Sequence, residues 1–470
     1  MPYFLIILAY SLIATDSNAK TAYTNFQWID PLDQTIHSNI LLIEDQGRIK
    51  YIGPPQLLTD DYHRVDLGNR FVIAGFVDTH THVTLGAVEL KKQQDTISLE
   101  ANNSDAISRY NGLVLLAHGI TRIRNPGGDT QRSVHYKKQV DQDHWIGPSA
   151  TVAGQLLDAN TFPGLSTAVT TATQIETEIR QQKAQGVDFI KLYTGLTPEQ
   201  LQTAIKSAHN HGLKAVAHLE SIPWGTAAEY GLDGIVHAMP ISPDLLPQAG
   251  RQQYLENSRP GAFGFFEWYE QADFEAPRFK QFMHKLANSN ISIDLTLIAF
   301  RNAFWGDQTQ VTQHPKLNLA HPDLVNNWRS FFTFNVGWQE ADFKRAKATW
   351  PKVESFVRQL HQADIHLTVG TDMNNPWVIP GVSFHQEMQL LAAAGIPNYD
   401  VLKMATLHGA EATGATATEG SLSVGKKASF VILERNPVKD IRNTQSIYAV
   451  VHNGKLWQPD QLLNMRFEVQ

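Results

Sequence analysis

The stretch Val72-Ile73-Ala74-Gly75-Phe76-Val77-Asp78-Thr79-His80-Thr81-His82 is an apolar run that ends in two histidines one residue apart. On a strand the side-chain period is two, so His80 and His82 face the same way, roughly 6.6 Å apart along the chain. Two imidazoles on one rigid element can share an ion such as zinc, which favours nitrogen ligands. The spacing recurs at His209-Asn210-His211, after Gln200-Leu201-Gln202-Thr203-Ala204-Ile205-Lys206-Ser207-Ala208, which reads as helix. Side chains two apart on a helix diverge, so that pair is expected to decorate the surface.

Working outward, the interior alternates strands with helices, as parallel barrels do. After the strand ending at Thr79 come strand candidates at 121–124, 149–153, 187–193, 214–218, 234–237, 291–297 and 366–372. That makes eight, the number that closes a (β/α)8 TIM-like barrel. Helices are expected around 173–185 and from about Thr197. The two ends have another texture. Leu41-Leu42-Ile43-Glu44-Asp45 and Arg48-Ile49-Lys50-Tyr51-Ile52 flank Gln46-Gly47, while the strand candidate 448–452 meets Lys455-Leu456-Trp457 across Asn453-Gly454. Both are hairpin patterns. Neither end can close a sandwich alone, so an α/β barrel inserted into a small β-sandwich made from both ends is expected. The division is 20–70 and 413–470 for the sandwich and 71–412 for the barrel.

The connections 238–290 and 298–364 exceed the usual βα loops and are rich in Phe, Trp and Tyr. They read either as lids and binding loops or as a satellite hydrophobic cluster.

Composition narrows the function. A net charge of −7 with no basic run argues against nucleic acid. The absence of cysteine excludes disulfides, thiolate ligands and a cysteine nucleophile. Residues 1–19 hold an apolar stretch too short to span a bilayer, which needs ~20 residues. It is read as a secretory segment ending in Ser17-Asn18-Ala19, despite having no Lys or Arg ahead of it, with a buried first element as the alternative. A periplasmic or secreted protein without a stable membrane anchor is expected.

Once the strands are placed, His80, His82, Lys191, His218, His237 and Asp372 all fall at or near strand carboxyl ends, where barrel active sites lie. Singly, a strand-end histidine is more often a hydrogen-bonded packing residue than a ligand. Together they point to metal.

The chain resembles the amidohydrolase superfamily, in its imidazolonepropionase-like and Xaa-Pro dipeptidase-like branch. The resemblance rests on 75–82, Gly119-Ile120-Thr121-Arg122-Ile123-Arg124-Asn125-Pro126-Gly127-Gly128, Asp188-Phe189-Ile190-Lys191, Ala217-His218, 231–237, Gly370-Thr371-Asp372, 405–410 and 420–428, in that order. Asn125 and Ser429 depart from the family pattern, each standing where an aspartate is usual; the second lies in the β part and concerns folding more than chemistry. The resemblance implies two divalent ions, zinc first among them. His80, His82 and Asp372 would hold one and His218 and His237 the other, with Lys191 bridging as a carbamate. A water there, its pKa lowered toward ~7, would attack a polarised carbonyl. Asp372 would move its proton to the departing nitrogen. Tyr193 either hydrogen-bonds the substrate or is a rim aromatic.

The expected activity is hydrolysis of amide-type C–N bonds in a small dipeptide or acyl-amino compound. A mononuclear deaminase or cyclic-amide hydrolase is the alternative, and a catalytically dead binding protein on the same scaffold the second. The β part offers edges for a homo-oligomer.

Overall fold

The computed structural model describes residues 20–93, 96–257, 259 and 261–469. The expected leader, residues 1–19, lies outside them. Among the described residues no helix is long and apolar enough to cross a membrane.

The opening stretch is two strands, not one. Val72, Ile73 and Ala74 finish the strand Tyr62–Ala74, which pairs parallel with Lys20–Asp30 and antiparallel with Phe430–Leu433. Phe76–Asp78 belongs to a different sheet and pairs parallel with Ile120–Asn125. The change occurs at Gly75, whose N–H donates to Ser429 O at 3.0 Å. A Cβ at Gly75 would lie 2.0 Å from Thr121 Oγ1, so the two sheets approach too closely there for any side chain. An uninterrupted apolar run carries no mark of such a switch, because both halves are buried.

Both chain ends meet in one eight-stranded sheet. From the amino end come Lys20–Asp30, Thr35–His37, Leu41–Asp45, Arg48–Gly53 and Tyr62–Ala74; from the carboxyl end come Phe430–Leu433, Ile447–His452 and Lys455–Trp457. The turn between the last two has φ of 50° at Asn453 and 81° at Gly454. Positive φ at both central positions is the turn whose twist matches paired strands. Tyr23, Phe26, Leu42, Val72, Phe430 and Val451 pack together on this sheet. Ser429 is structural: its Oγ accepts the Asn453 N–H at 3.1 Å.

The remaining strands are parallel and form a TIM-barrel-like α/β arrangement. Phe76–Asp78, Ile120–Asn125 and Ser149–Val152 make one group. Leu156–Asp158, Ser166–Ala168, Phe189–Leu192, Lys214–Ala217, Gly234–Val236, Ser292–Asp294 and His366–Thr368 make the other. Backbone bonds join the groups at both ends, among them Thr79 N–H to Val369 O at 3.0 Å and Asp188 N–H to Val152 O at 2.8 Å. The short strands Leu156–Asp158 and Ser166–Ala168, and an antiparallel pair of Leu85–Gln93 with Thr96–Asn103, add to the expected set.

Helices begin where hydroxyl caps stand. Thr171 caps Ala172–Gln185 and Thr197 caps Pro198–Asn210, each with a glutamine three residues on completing a capping box. At the end of the second helix His209 pairs with Asp233 at 2.8 Å and His211 with Glu176 at 2.7 Å. Their acids differ, so that His-x-His pair holds no common ion.

The long connections are corrected as well. Residues 238–290 form the helices Gln248–Glu256, Phe263–Gln271 and Pro277–Ala287 rather than loops. Residues 298–364 are largely Leu297–Phe304, Pro322–Ser330 and the long Glu340–Gln362. Phe263, Phe266, Trp268, Tyr269, Phe304 and Trp338 are buried in the main core. A chain that buries this many rings must satisfy its own backbone, and a helix does so internally.

Candidate metal centre

The two ends of the parallel set are pinned by one carboxylate. Asp78 accepts the N–H groups of His80 and Thr371, both at 3.1 Å, and the Thr371 hydroxyl at 2.8 Å. This places the histidine pair opposite Asp372. Asp372 Oδ1 lies 3.2 Å from His80 Nε2 and 3.4 Å from His82 Nε2, and ligand atoms of all three fall within 4.8 Å of one another. His237 Nδ1 is 3.8 Å from Asp372 Oδ2. The His237 ring sits 4.9 Å from that of His80 and 4.3 Å from that of His218, centroid to centroid. Tyr193 packs edge-on against His218 at 5.2 Å. Lys191, on Phe189–Leu192, is 2% exposed, and its Nζ and His218 Nε2 are buried polar atoms without a hydrogen-bond partner among the described residues.

The outer nitrogens are held. His82 Nδ1 donates to Gly127 O at 2.8 Å and His80 Nδ1 lies 3.1 Å from Asp294 Oδ2. With the proton on Nδ1, each ring keeps its Nε2 lone pair toward Asp372. His237 Nδ1 is 2.7 Å from Thr296 Oγ1.

Burial, then the charge of Arg124, pushes the Lys191 amine down to about 7. Burial and the neighbouring Lys191 take His218 down to about 3, and burial with His218 takes His237 well down too. These imidazoles are neutral, the form that binds metal. Burial alone would raise Asp372, but the neighbouring His80 outweighs it and holds the carboxyl well below the carboxylate range. Conversely, burial would lower His80, yet Asp372 and Asp294 raise it. Two imidazoles and a carboxylate within bonding reach, beside orphaned Lys191 and His218 atoms, fit a divalent ion.

The backbone is left-handed at His237 (φ 72°), Thr296 (φ 47°) and Asp372 (φ 58°). Such conformations cost on the order of 1–3 kcal/mol each outside glycine and concentrate at functional sites. For a β-branched threonine the conformation is an outlier.

Sequence reasoning passed over the groups behind the ligands. Asp294 binds His80 and also Arg124 Nη2 at 3.2 Å; Arg124 Nε donates to Thr79 O at 2.7 Å. Buried Glu387 accepts the N–H groups of Leu297 at 2.9 Å and Ile298 at 2.6 Å, fixing the chain next to Thr296. The one available sign was polar: Ser292, Asp294 and Thr296 alternate with apolar residues through 291–297, which puts all three on one face of the strand and its extension.

Glu220, whose Oε1 lies 3.9 Å from His218 Nε2, lines a cavity of about 140 Å³ together with Ile241, Tyr254, Arg259, Phe265 and Glu267. Phe265 packs on Phe300 and Phe300 on His237, at ring distances of 4.9 and 5.6 Å.

The sequence matches the amidohydrolase family over residues 71–236 and 351–457, more than half of the chain. Imidazolonepropionase of Clostridium tetani is 22% identical over 429 residues, covering 84% of each protein. A solved Xaa-Pro dipeptidase with methionine bound in its active site is similar with a TM-score of 0.66 and 18% identity, over 93% of this chain and 100% of that one. Bottromycin amidohydrolase gives 0.72 and 20%, over 96% and 90%. At these identities the structural likeness carries the fold. The chain belongs to the amidohydrolase family and is a hydrolase acting on carbon–nitrogen bonds.

Proposed function

We propose that the protein is an exported, metal-dependent amidohydrolase that cleaves amide-type C–N bonds in small dipeptide or acyl-amino substrates. The observation that carries this reading is the meeting of His80, His82 and Asp372 around one point. His80, His82 and Asp372 would hold one divalent ion, zinc by preference, and His218 and His237 a second. Lys191 as an ammonium would repel both; its neutral amine, adding CO₂ and losing a proton, would become an anionic carbamate able to serve both ions as a bridge. Ions held there supply Lewis acidity to a carbonyl oxygen and acidify water.

The chain's own residues do the rest. Asp372, kept ionised, accepts a proton at its carboxylate and delivers it to the leaving nitrogen. Tyr193, its pKa raised by burial, stays protonated and donates to the substrate. Phe265 and Phe300 wall the mouth against water, and the cavity beyond Glu220 receives a substrate side chain. The fold reading that accompanies this is a closed (β/α)8 barrel, 71–412, inserted into a β-sandwich of 20–70 and 413–470. Export rests on the secretory pattern of residues 1–19.

A second reading is a mononuclear cyclic-amide hydrolase or deaminase. It is favoured by one observation: among the four histidines and the aspartate of the mouth, only His80, His82 and Asp372 form a mutually close ligand group. A library of dipeptides and cyclic amides, screened with metal content measured on the same sample, tests both. Dipeptide hydrolysis with two ions per chain is the expected result. One ion with cyclic-amide hydrolysis supports the second reading, and no turnover by metal-loaded protein supports a binding protein.

A further inference from the structure

At the end of the parallel strands away from the mouth, three side chains meet that the chemistry above does not use. His366 opens the strand His366–Thr368, six residues before Asp372, a span of up to about 20 Å. His408 closes the turn Met404–His408, and Glu411 lies in the following turn, Gly409–Ala412. The two imidazole rings lie 4.4 Å apart at 31°, and His366 Nε2 is 2.8 Å from Glu411 Oε2. One ligand atom from each of the three falls within 4.8 Å of the others.

Counting protons shows what this trio lacks. His408 Nδ1 donates to Leu367 O at 3.0 Å, which leaves a lone pair on its Nε2. If His366 Nε2–H donates to Glu411, Nδ1 keeps a lone pair, and that buried atom has no partner. A cation facing Glu411 would replace the His366 Nε2 proton, which the unpartnered Nδ1 can take up, so that both imidazoles present Nε2 lone pairs beside the carboxylate. Among the described residues no lysine or arginine ion-pairs with Glu411. Lys426 acts on it at longer range but donates to Glu419 O and Ser421 Oγ, and Lys403 reaches His408 through its charge alone.

We propose that His366, His408 and Glu411 form a binding site for a divalent cation of the zinc class, separate from the metal centre at the mouth. Two imidazoles and one carboxylate are a zinc ligand set that leaves a fourth position to water. Imidazole donors favour zinc or copper over calcium or magnesium. Leu367 O supplies the outer hydrogen bond that orients His408, as carbonyls behind metal-ligating histidines do. The ion would clamp the strand His366–Thr368 to the helical turns 404–412, so its effect is on stability and not on hydrolysis. The site owes nothing to the assignment of the mouth.

The test is calorimetric titration of zinc into the full chain already saturated with metal at the mouth, with thermal midpoints measured on the same samples. Wild type is expected to bind one more zinc per chain than His408→Gln and to gain a zinc-dependent rise in midpoint, with calcium producing neither. Glu411→Gln, an isosteric change at a part-exposed position, is expected to weaken this zinc at least about tenfold. Equal zinc stoichiometry and equal zinc-dependent shifts in wild type and both variants would overturn the proposal.

Discussion

Replacing Asp294 separates two jobs that one buried carboxylate performs. It orients His80 through Nδ1 at 3.1 Å and neutralises Arg124 at 3.2 Å, and both it and Arg124 are almost wholly buried. Asp294→Ala leaves Arg124 charged and unpaired in the interior, which costs about 3–5 kcal/mol, a large part of an ordinary stability of ~5–15 kcal/mol. Asp294→Asn keeps the volume and an oxygen for His80 but removes the charge, so the loss is about 1.5–3 kcal/mol, the range for a charged hydrogen bond. Loss of the anion behind a ligating histidine lowers metal affinity by roughly 10–100-fold, or about 1.4–2.7 kcal/mol. The assay is chelator competition for zinc on Asp294→Asn, with thermal unfolding of the apoprotein on the same preparation. The expected result is a fall in both. Zinc affinity within twofold of wild type, accompanied by a lowered midpoint, would refute the reasoning: Asp294 would then serve Arg124 alone.

Four further outcomes are expected. Asp372→Asn should lower turnover by about 10²–10⁴-fold with the fold retained, as circular dichroism would show. On the proposed two-ion site, Lys191→Met should reduce metal content from two ions per chain to one, measured by mass spectrometry, because the proposed carbamate can no longer form. Glu419 is buried; burial would raise its pKa, but Arg122, with bonds of 3.0 and 3.1 Å, and Lys427 outweigh that and lower it. Its contribution is therefore present above the unfolded carboxylate value of about 4.3 and lost as pH falls through the lower folded value, so Glu419→Gln should depress the midpoint at pH 7 and much less at pH 3. Gly75→Ala must push its new methyl against Thr121, and unfolding in denaturant should show a loss of about 1–3 kcal/mol from overpacking.

How much of this was legible beforehand follows from the range of each interaction. The His80-x-His82 pair, the alternation of strands and helices, the hydroxyl caps at Thr171 and Thr197 and the Asn453-Gly454 turn are local patterns, readable within a few residues. The shell behind the ligands is not local. His80 finds Asp294 at a separation of 214 residues, and Leu297 finds Glu387 at 90. Nothing near Glu387 in the chain marks it as a partner of the strand end at Thr296. The helices of 238–290 hid behind aromatic composition, which suits a buried helix and a binding loop alike. The site at His366, His408 and Glu411 was hidden for the same reason: its strand and its helix lie 45 residues apart.

By itself the chain order determined which residue types stand at strand ends, because side-chain period and turn chemistry act between near neighbours. Only the tertiary structure decided that Gly75 divides one apolar run between two sheets, and which buried carboxylate stands behind which histidine. Those choices depend on how strands distant in sequence pack side by side, where sterics at a single atom and the need to pair every buried charge select among arrangements that look alike along the chain.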